Sequence, residues 1–305
     1  MRRVGELLAI ALVVTGCGSV ASAYVPPSDP TAPPYVPAAT IYLAPAGAGA
    51  TPTALAANVP AATPISTPAM QAAALPAVPL TIATLGDSLT EGEGDDSGAG
   101  YPGRLKTLVD SVRPGTRIVN LGKSGWSSTD LMNGLNGERS QLTAAIAAEP
   151  DVALVWIGSN DLWYLYEFGP EPMTTEAEQM DRATYETSID KILSDLTGHG
   201  VAVYIALLDD QSKRPVVAAP PNPEDPAFPS TPPADLERMS VHVSAYNDII
   251  RSKAAQYHAT TVDFSETTIF TDPATLDSDG NHPNAAGYQA VASTWFAALK
   301  PSLGR

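Results

Sequence analysis

The sequence predicts one three-layer α/β/α sandwich, built on a central parallel sheet of about five strands, from about residue 80 to residue 305. Short apolar, β-branched runs recur at 80–85, 117–121, 152–157, 201–208 and 260–264. Such runs suit strands covered on both faces. Helical patterns lie between them. From 235 to 257, Leu236, Met239, Val243, Tyr246, Ile250, Ala254 and Tyr257 return every three or four places, as one buried helix face does. From about 285 to 299, Tyr288, Val291, Trp295 and Leu299 share one side. Strand and helix in alternation predict a parallel sheet with helices on both faces.

Before that domain the chain has a different character. Arg2 and Arg3 precede an apolar run at 7–14 and then Thr15-Gly16-Cys17. A basic start, a short apolar core and small residues predict an export signal over 1–23, too short to span a bilayer as a mature helix. Val14-Thr15-Gly16-Cys17 resembles the lipobox of bacterial lipoproteins, which would make Cys17 the lipidated first residue. Ala21-Ser22-Ala23 suits an ordinary signal peptidase as the alternative. Cys17 is the single cysteine, so it forms no internal disulfide. The preferred expectation is a protein exported to the cell surface or periplasm, lipid-anchored at Cys17, and otherwise secreted.

Residues 24–79 are dominated by Pro, Ala and Thr, with almost no charge. Frequent proline removes donors and fixes φ, so neither helix nor sheet propagates. A disordered, extended tether is expected there. The formal net charge of −16 comes with no basic stripe, which argues against a nucleic-acid partner.

Ligands of parallel sheets bind beyond the carboxyl ends of the strands, so the residues after each strand are the ones to read. After the first comes Gly86-Asp87-Ser88, either a helix N-cap or a nucleophile. Thr90 stands where the G-x-S-x-G elbow of α/β-hydrolases needs glycine. After the second comes Asn120-Leu121-Gly122-Lys123-Ser124-Gly125, a plain turn or a backbone N–H aimed into a cavity. After the third comes Gly158-Ser159-Asn160-Asp161, where the Asn160 amide is a loop stabiliser or a neutral oxyanion donor. Asp277-Ser278-Asp279-Gly280-Asn281-His282-Pro283 lies near the C-terminus. Asp279 and His282, three apart in a turn, can project together, leaving one imidazole nitrogen free as a base. A calcium loop fits its opening D-x-D-x-N but fails at His282 and Tyr288, where glycine and glutamate are required.

Together, G-D-S-L, S-G-W, G-x-N-D and D-x-x-H-P in this order resemble the SGNH hydrolases, or GDSL esterases and lipases, over residues 80–305. The resemblance implies their flavodoxin-like α/β/α fold and a carboxylic-ester hydrolase needing no cofactor or metal. By it Ser88 is the nucleophile, and Asp279 and His282 supply the base. The Ser88 and Gly125 amides and the Asn160 side chain form the oxyanion hole, the family's pattern favouring Gly125 over Gly122. Asp87 and Asp161 are expected to brace loops.

The chemistry agrees, since a serine hydroxyl needs an adjacent base. Of His199, His242, His258 and His282, only His282 has a carboxylate at short spacing in a strand-end type of loop. The expected reaction is acyl transfer through an acyl-serine, then release by water. Transfer to a sugar acceptor and a surface-tethered binding module without catalysis are the rivals. Trp126, Trp163 and Tyr164, with Tyr166 and Phe168, either wall a substrate site or pack their loop. The acidic stretch 91–96 is expected to be a solvated rim, and the Pro-rich insertion 215–233 a lid edge or an excursion. A monomer acting on small-molecule, glycan or lipid esters is expected, touching membrane only through Cys17.

Overall fold

The computed structural model describes residues 75, 79–218 and 231–303. The export signal, Cys17, nearly all of the tether and most of the 215–233 insertion lie outside the described residues. Leu75 is buried in the core, so the folded body takes in at least one residue of the span read as tether.

Five strands form: β1 (Thr81–Gly86), β2 (Arg117–Asn120), β3 (Val152–Trp156), β4 (Ala202–Leu207) and β5 (Thr260–Asp263). All pair in parallel, in the order β2-β1-β3-β4-β5. Every residue of β3 is buried, whereas the edge strands β2 and β5 are largely open. Continuous apolar runs therefore mark the middle of the sheet and weaker ones its edges. The chain runs from β1 out to β2, then returns to the other side of β1 as β3. That reversal is the switch point where an open α/β sheet leaves a crevice.

Nine α-helices are described: α1 (Ser88–Glu91), α2 (Gly100–Asp110), α3 (Ser128–Asn133), α4 (Gln141–Ala147), α5 (Ser159–Phe168), α6 (Thr175–Gly198), α7 (Pro215–Ala218), α8 (Pro233–Tyr257) and α9 (Ala285–Leu303). One layer pairs α2 with α9. Its core is aromatic: Trp156 stacks on Phe264 at 4.3 Å between centroids, and Tyr101 lies 6.0 Å from Trp295. On the other side α6 packs against α8, and α3 and α4 pack against α6. There Tyr185 of α6 stacks on Tyr246 of α8 at 3.7 Å. Each such pair adds about 1 kcal/mol beyond the area it buries.

On α8 the buried face holds Met239, Val243, Tyr246, Ile250 and Ala254 as the spacing predicts, while Leu236 and Tyr257 at its ends stay half-buried. His242 and Asn247 join that face because each has a partner. His242 Nε2 bonds Asp181 at 2.8 Å, and Asn247 bonds both backbone groups of Leu208. Buried polar groups persist where they are paired.

Candidate active site

At the end of β1 the chain has almost no room. A Cβ on Gly86 would meet Trp156 O at 2.2 Å and Thr90 Oγ1 at 2.3 Å. Buried Gln141 clamps the same residue, its Oε1 accepting from Gly86 N and its Nε2 donating to Gly86 O, each at 2.8 Å. The chain then turns into α1, whose N-cap is Asp87, with Oδ1 accepting from Leu89 N at 3.0 Å. The capping role open in the sequence thus falls to Asp87, and Ser88 becomes the first helical residue. A first helical N–H has no intrahelical acceptor. Among the described residues the Ser88 amide has none elsewhere either.

The loop before α9 is closed by Asp277 N donating to His282 O at 2.8 Å. Within it Asp279 Oδ1 accepts from the amides of Asn281 at 2.8 Å and His282 at 2.9 Å. Its other oxygen meets His282 Nδ1 at 2.6 Å, and His282 Nε2 lies 2.9 Å from Ser88 Oγ. Burial works against the Asp279 charge, yet the bonds from the His282 ring and the two amides hold its carboxyl below the ordinary 3.8. An ionised Asp279 keeps the proton on Nδ1, which leaves Nε2 to accept from Ser88.

Two glycines follow β2, and the geometry separates them. The Gly122 amide donates to Asn120 Oδ1 at 3.0 Å, and a Cβ there would meet Glu91 N at 2.3 Å. Its small size lets β2's exit pass close to α1. Gly125 has φ +76°, and its amide has no acceptor among the described residues. Its loop is strapped from both sides. From α5, Asn160 Nδ2 donates to Trp126 O at 3.0 Å, Tyr164 Oη donates to Gly125 O at 2.5 Å, and Asp161 accepts from Ser128 N at 2.8 Å and Ser128 Oγ at 2.5 Å. From the opposite side Ser124 donates to Glu91 from its amide and to Glu93 from Oγ, both at 2.6 Å.

Ser88, Asp279 and His282 therefore stand in one hydrogen-bonded chain, with the Asn160 side chain tied into the Gly125 loop. The aromatics divide. Trp126 and Trp163 are buried, Trp163 within the main core, because α5 turns its 162, 163 and 166 positions inward. Tyr164 keeps an exposed face. The acidic stretch is not a uniformly solvated rim. Asp95 is buried and paired with Arg104, and it also accepts from the amides of Ser97 and Gly100.

Beneath the site lies a cluster that reading the strand ends missed. Arg214 is buried, with Nε and Nη2 donating to Asp209 at 2.9 and 2.7 Å and Nη1 to Asn281 Oδ1 at 2.8 Å. Asp87, wholly buried, is pushed up to about 6 by that burial, against the pull of the Leu89 amide and the Arg214 charge. Asp209 follows β4, and the strand-end rule would have found it had that end been read.

The GDSL-like lipase/acylhydrolase family profile matches residues 84–290. An uncharacterized Bacillus subtilis (strain 168) protein, YpmR, is 28% identical over 234 residues, covering 72% of this chain and 82% of that one. Among solved structures, a catalytic mutant of Axe2, an acetylxylan esterase from Geobacillus stearothermophilus, superposes with a TM-score of 0.51 at 21% identity, covering 73% of this chain and 94% of that one. The psychrotrophic esterase EstA from Pseudoalteromonas sp. does so at 0.51 and 16%, covering 74% and 99%. At these identities the two structures speak for the shared fold.

Proposed function

From the premise that the chain belongs to the GDSL-like lipase/acylhydrolase family and is an SGNH-type carboxylic ester hydrolase, we propose that Ser88, His282 and Asp279 carry its reaction through an acyl-serine intermediate. The observation that carries this reading is the continuous chain from Asp279 Oδ2 through the His282 ring to Ser88 Oγ, at 2.6 and 2.9 Å.

Ser88 Oγ attacks the ester carbonyl as His282 Nε2 takes its proton. The oxyanion forms between the Ser88 amide, the Gly125 amide and the second N–H of Asn160. Collapse breaks the bond to the alkoxy oxygen, which leaves with the proton held on Nε2. Water then gives a proton to Nε2 and attacks the acyl-serine, freeing the acid and restoring the Ser88 hydroxyl. Asp279 stays ionised throughout and offsets the imidazolium charge. Small-molecule, glycan and lipid esters all fit this chemistry. The sequence of residues 1–79 extends the proposal to location: export, with a lipid on Cys17 and a Pro-rich spacer before the catalytic domain.

The test is covalent labelling by a fluorophosphonate, with the adduct mapped by mass. Wild type is expected to carry it on Ser88 and Ser88→Ala to carry none. A folded wild type that stays unlabelled overturns the mechanism.

A further inference from the structure

The stretch 91–96 runs beside His282, the proposed base. Tyr288 Oη donates to Glu93 O at 2.6 Å, which fixes the Glu93 backbone from α9. At Gly94, with φ +85°, a Cβ would meet His282 Cβ at 2.8 Å and Pro283 O at 2.9 Å. The chain at 93–94 is thus pressed onto the His282 loop and has little freedom to leave it. From there Glu93 Oε2 accepts from Ser124 Oγ at 2.6 Å and stands 3.8 Å from His282 Nε2. The carboxylate bridges the two halves of the site, the base on one side and the Gly125 loop on the other.

In the reaction proposed above, Nε2 delivers its proton to the alkoxy oxygen, which must come within hydrogen-bond reach of it. A carboxylate beside Nε2 is therefore a neighbour of the departing alcohol. Among the described residues no lysine or arginine lies within ion-pair distance of that carboxylate. The cations of this rim are already engaged: Arg104 pairs with Asp95, and Lys123 with Glu138 at 2.9 Å. Arg214 is buried and held by Asp209. Among the described residues the one cationic group within ion-pair distance of Glu93 is His282 itself, when protonated. Glu91, bonded to the Ser124 amide, adds a second negative charge nearby.

We propose that Glu93 is a specificity-determining residue that selects the alcohol portion of the ester by charge, favouring a cationic alcohol and disfavouring an anionic one. The proposal rests on the ester-hydrolase mechanism above and adds the substrate class to it. Glu93 keeps a half-exposed side chain, so the selection acts at the mouth and weakens with salt.

The experiment compares kcat/KM for three acetyl esters that differ in the alcohol: acetylcholine, its neutral carbon isostere 3,3-dimethylbutyl acetate, and 3-acetoxypropionate. At low ionic strength the full chain is expected to favour acetylcholine over the neutral isostere by about tenfold and to handle the anionic ester worst. Glu93→Gln keeps an acceptor for Ser124 Oγ while removing the charge, and should bring the first ratio to within about twofold of unity. Glu93→Lys should reverse the order. High salt should compress the wild-type ratio more than that of Glu93→Gln, where only the Glu91 charge remains. Fluorophosphonate labelling is run on the same samples, so the two readings fail separately. A wild type labelled on Ser88 overturns the Glu93 proposal alone if its ratio is flat, if Glu93→Gln leaves the ratio unchanged, or if none of the three esters is cleaved. A folded wild type that resists labelling overturns both.

Discussion

Arg214 donates from Nη1 to Asn281 Oδ1 at 2.8 Å, and Asn281 is the residue immediately before His282. The other edge of the guanidinium forks onto Asp209 beyond β4, and its central carbon, Cζ, lies 4.5 Å from the centre of the Phe270 ring. A rigid bidentate cation thus ties a strand end to the loop carrying the proposed base. Arg214→Met removes that cation and leaves the Asp209 carboxylate buried without its counter-ion, an arrangement that costs about 3–5 kcal/mol. Urea unfolding is expected to show that loss. Arg214→Lys restores the charge but not the fork, so it should recover part of the stability, with kcat reduced and KM little changed. Equal kcat in wild type and Arg214→Lys would show that Arg214 does not position the loop.

The oxyanion assignment makes a second prediction. Asn160→Ala removes a side-chain donor and also the bond that holds Trp126 O. It should lower kcat by about a hundred- to a thousandfold with a small effect on KM, as loss of an oxyanion donor does. Stopped-flow acylation kinetics with a chromogenic ester would measure it. A variant within a factor of three of wild type would remove Asn160 from the site.

The same loop contrasts two glycines. Gly122→Ala drives a methyl to 2.3 Å from Glu91 N and 2.5 Å from Thr90 C, both backbone atoms of the helix that begins with Ser88. Gly125→Ala meets only Tyr164 Oη at 3.4 Å but must hold φ +76°. The left-handed strain costs about 1–2 kcal/mol. Thermal unfolding should therefore show Gly122→Ala as the more destabilised variant. The reverse order would mean the β2 exit is not pressed against α1.

The contrast shows what was legible in the sequence. Strand runs and helix faces reported burial, which depends on period, so β1 to β5 and the inward side of α8 could be read directly. Ser88, Gly125, Asn160, Asp279 and His282, the residues of the proposed site, stand out in the sequence because each lies in a short motif at a strand end or loop. Gln141 could not, because it reaches Gly86 from 55 residues away and has no motif around it. Arg214 reaches Asn281 across 67 residues in the same way. Trp163 was ambiguous for a different reason: an aromatic after a motif reads alike whether it faces ligand or core, and only the start of α5 at Ser159 sets which way it turns.

For the anchor, membrane fractionation and mass spectrometry of the expressed protein decide between the two cleavage readings. Wild type is expected in the membrane fraction with a diacylglyceryl adduct on Cys17, and Cys17→Ser in the soluble fraction. One acyl-bearing residue at the end of a Pro-rich spacer would hold the domain at a surface without a spanning helix. A wild type recovered free of membrane and beginning at Tyr24 would establish the other site.

Two carboxyls with raised pKa values give the protein a stability that falls as pH rises from about 4 toward 7. Asp161 is half-buried, and loss of solvent around its carboxyl, with the Asp181 charge, pushes it up to about 7 against the bonds from Ser128. Asp87 is likewise raised to about 6. Below the ordinary 3.8 each is protonated folded and unfolded, so the fold bears no penalty. Between 3.8 and the raised values the fold holds a proton that the unfolded chain has released, so stability drops as pH climbs. For Asp161 the full drop is roughly 4 kcal/mol, complete above about pH 7. Asp95 runs the other way. Burial works to raise it, but Arg104, Ser97 and Gly100 hold it at about 2. Its contribution is present above 3.8 and is lost only as pH falls toward 2, outside the window of the other two. Urea midpoints should therefore peak between about pH 4 and 5 and decline to pH 8. Asp161→Asn removes one titrating group and one acceptor for Ser128, so it should lower the curve at acid pH and flatten its decline. A variant whose midpoints run parallel to wild type from pH 4 to 8 would show that Asp161 is ionised in the fold across that range.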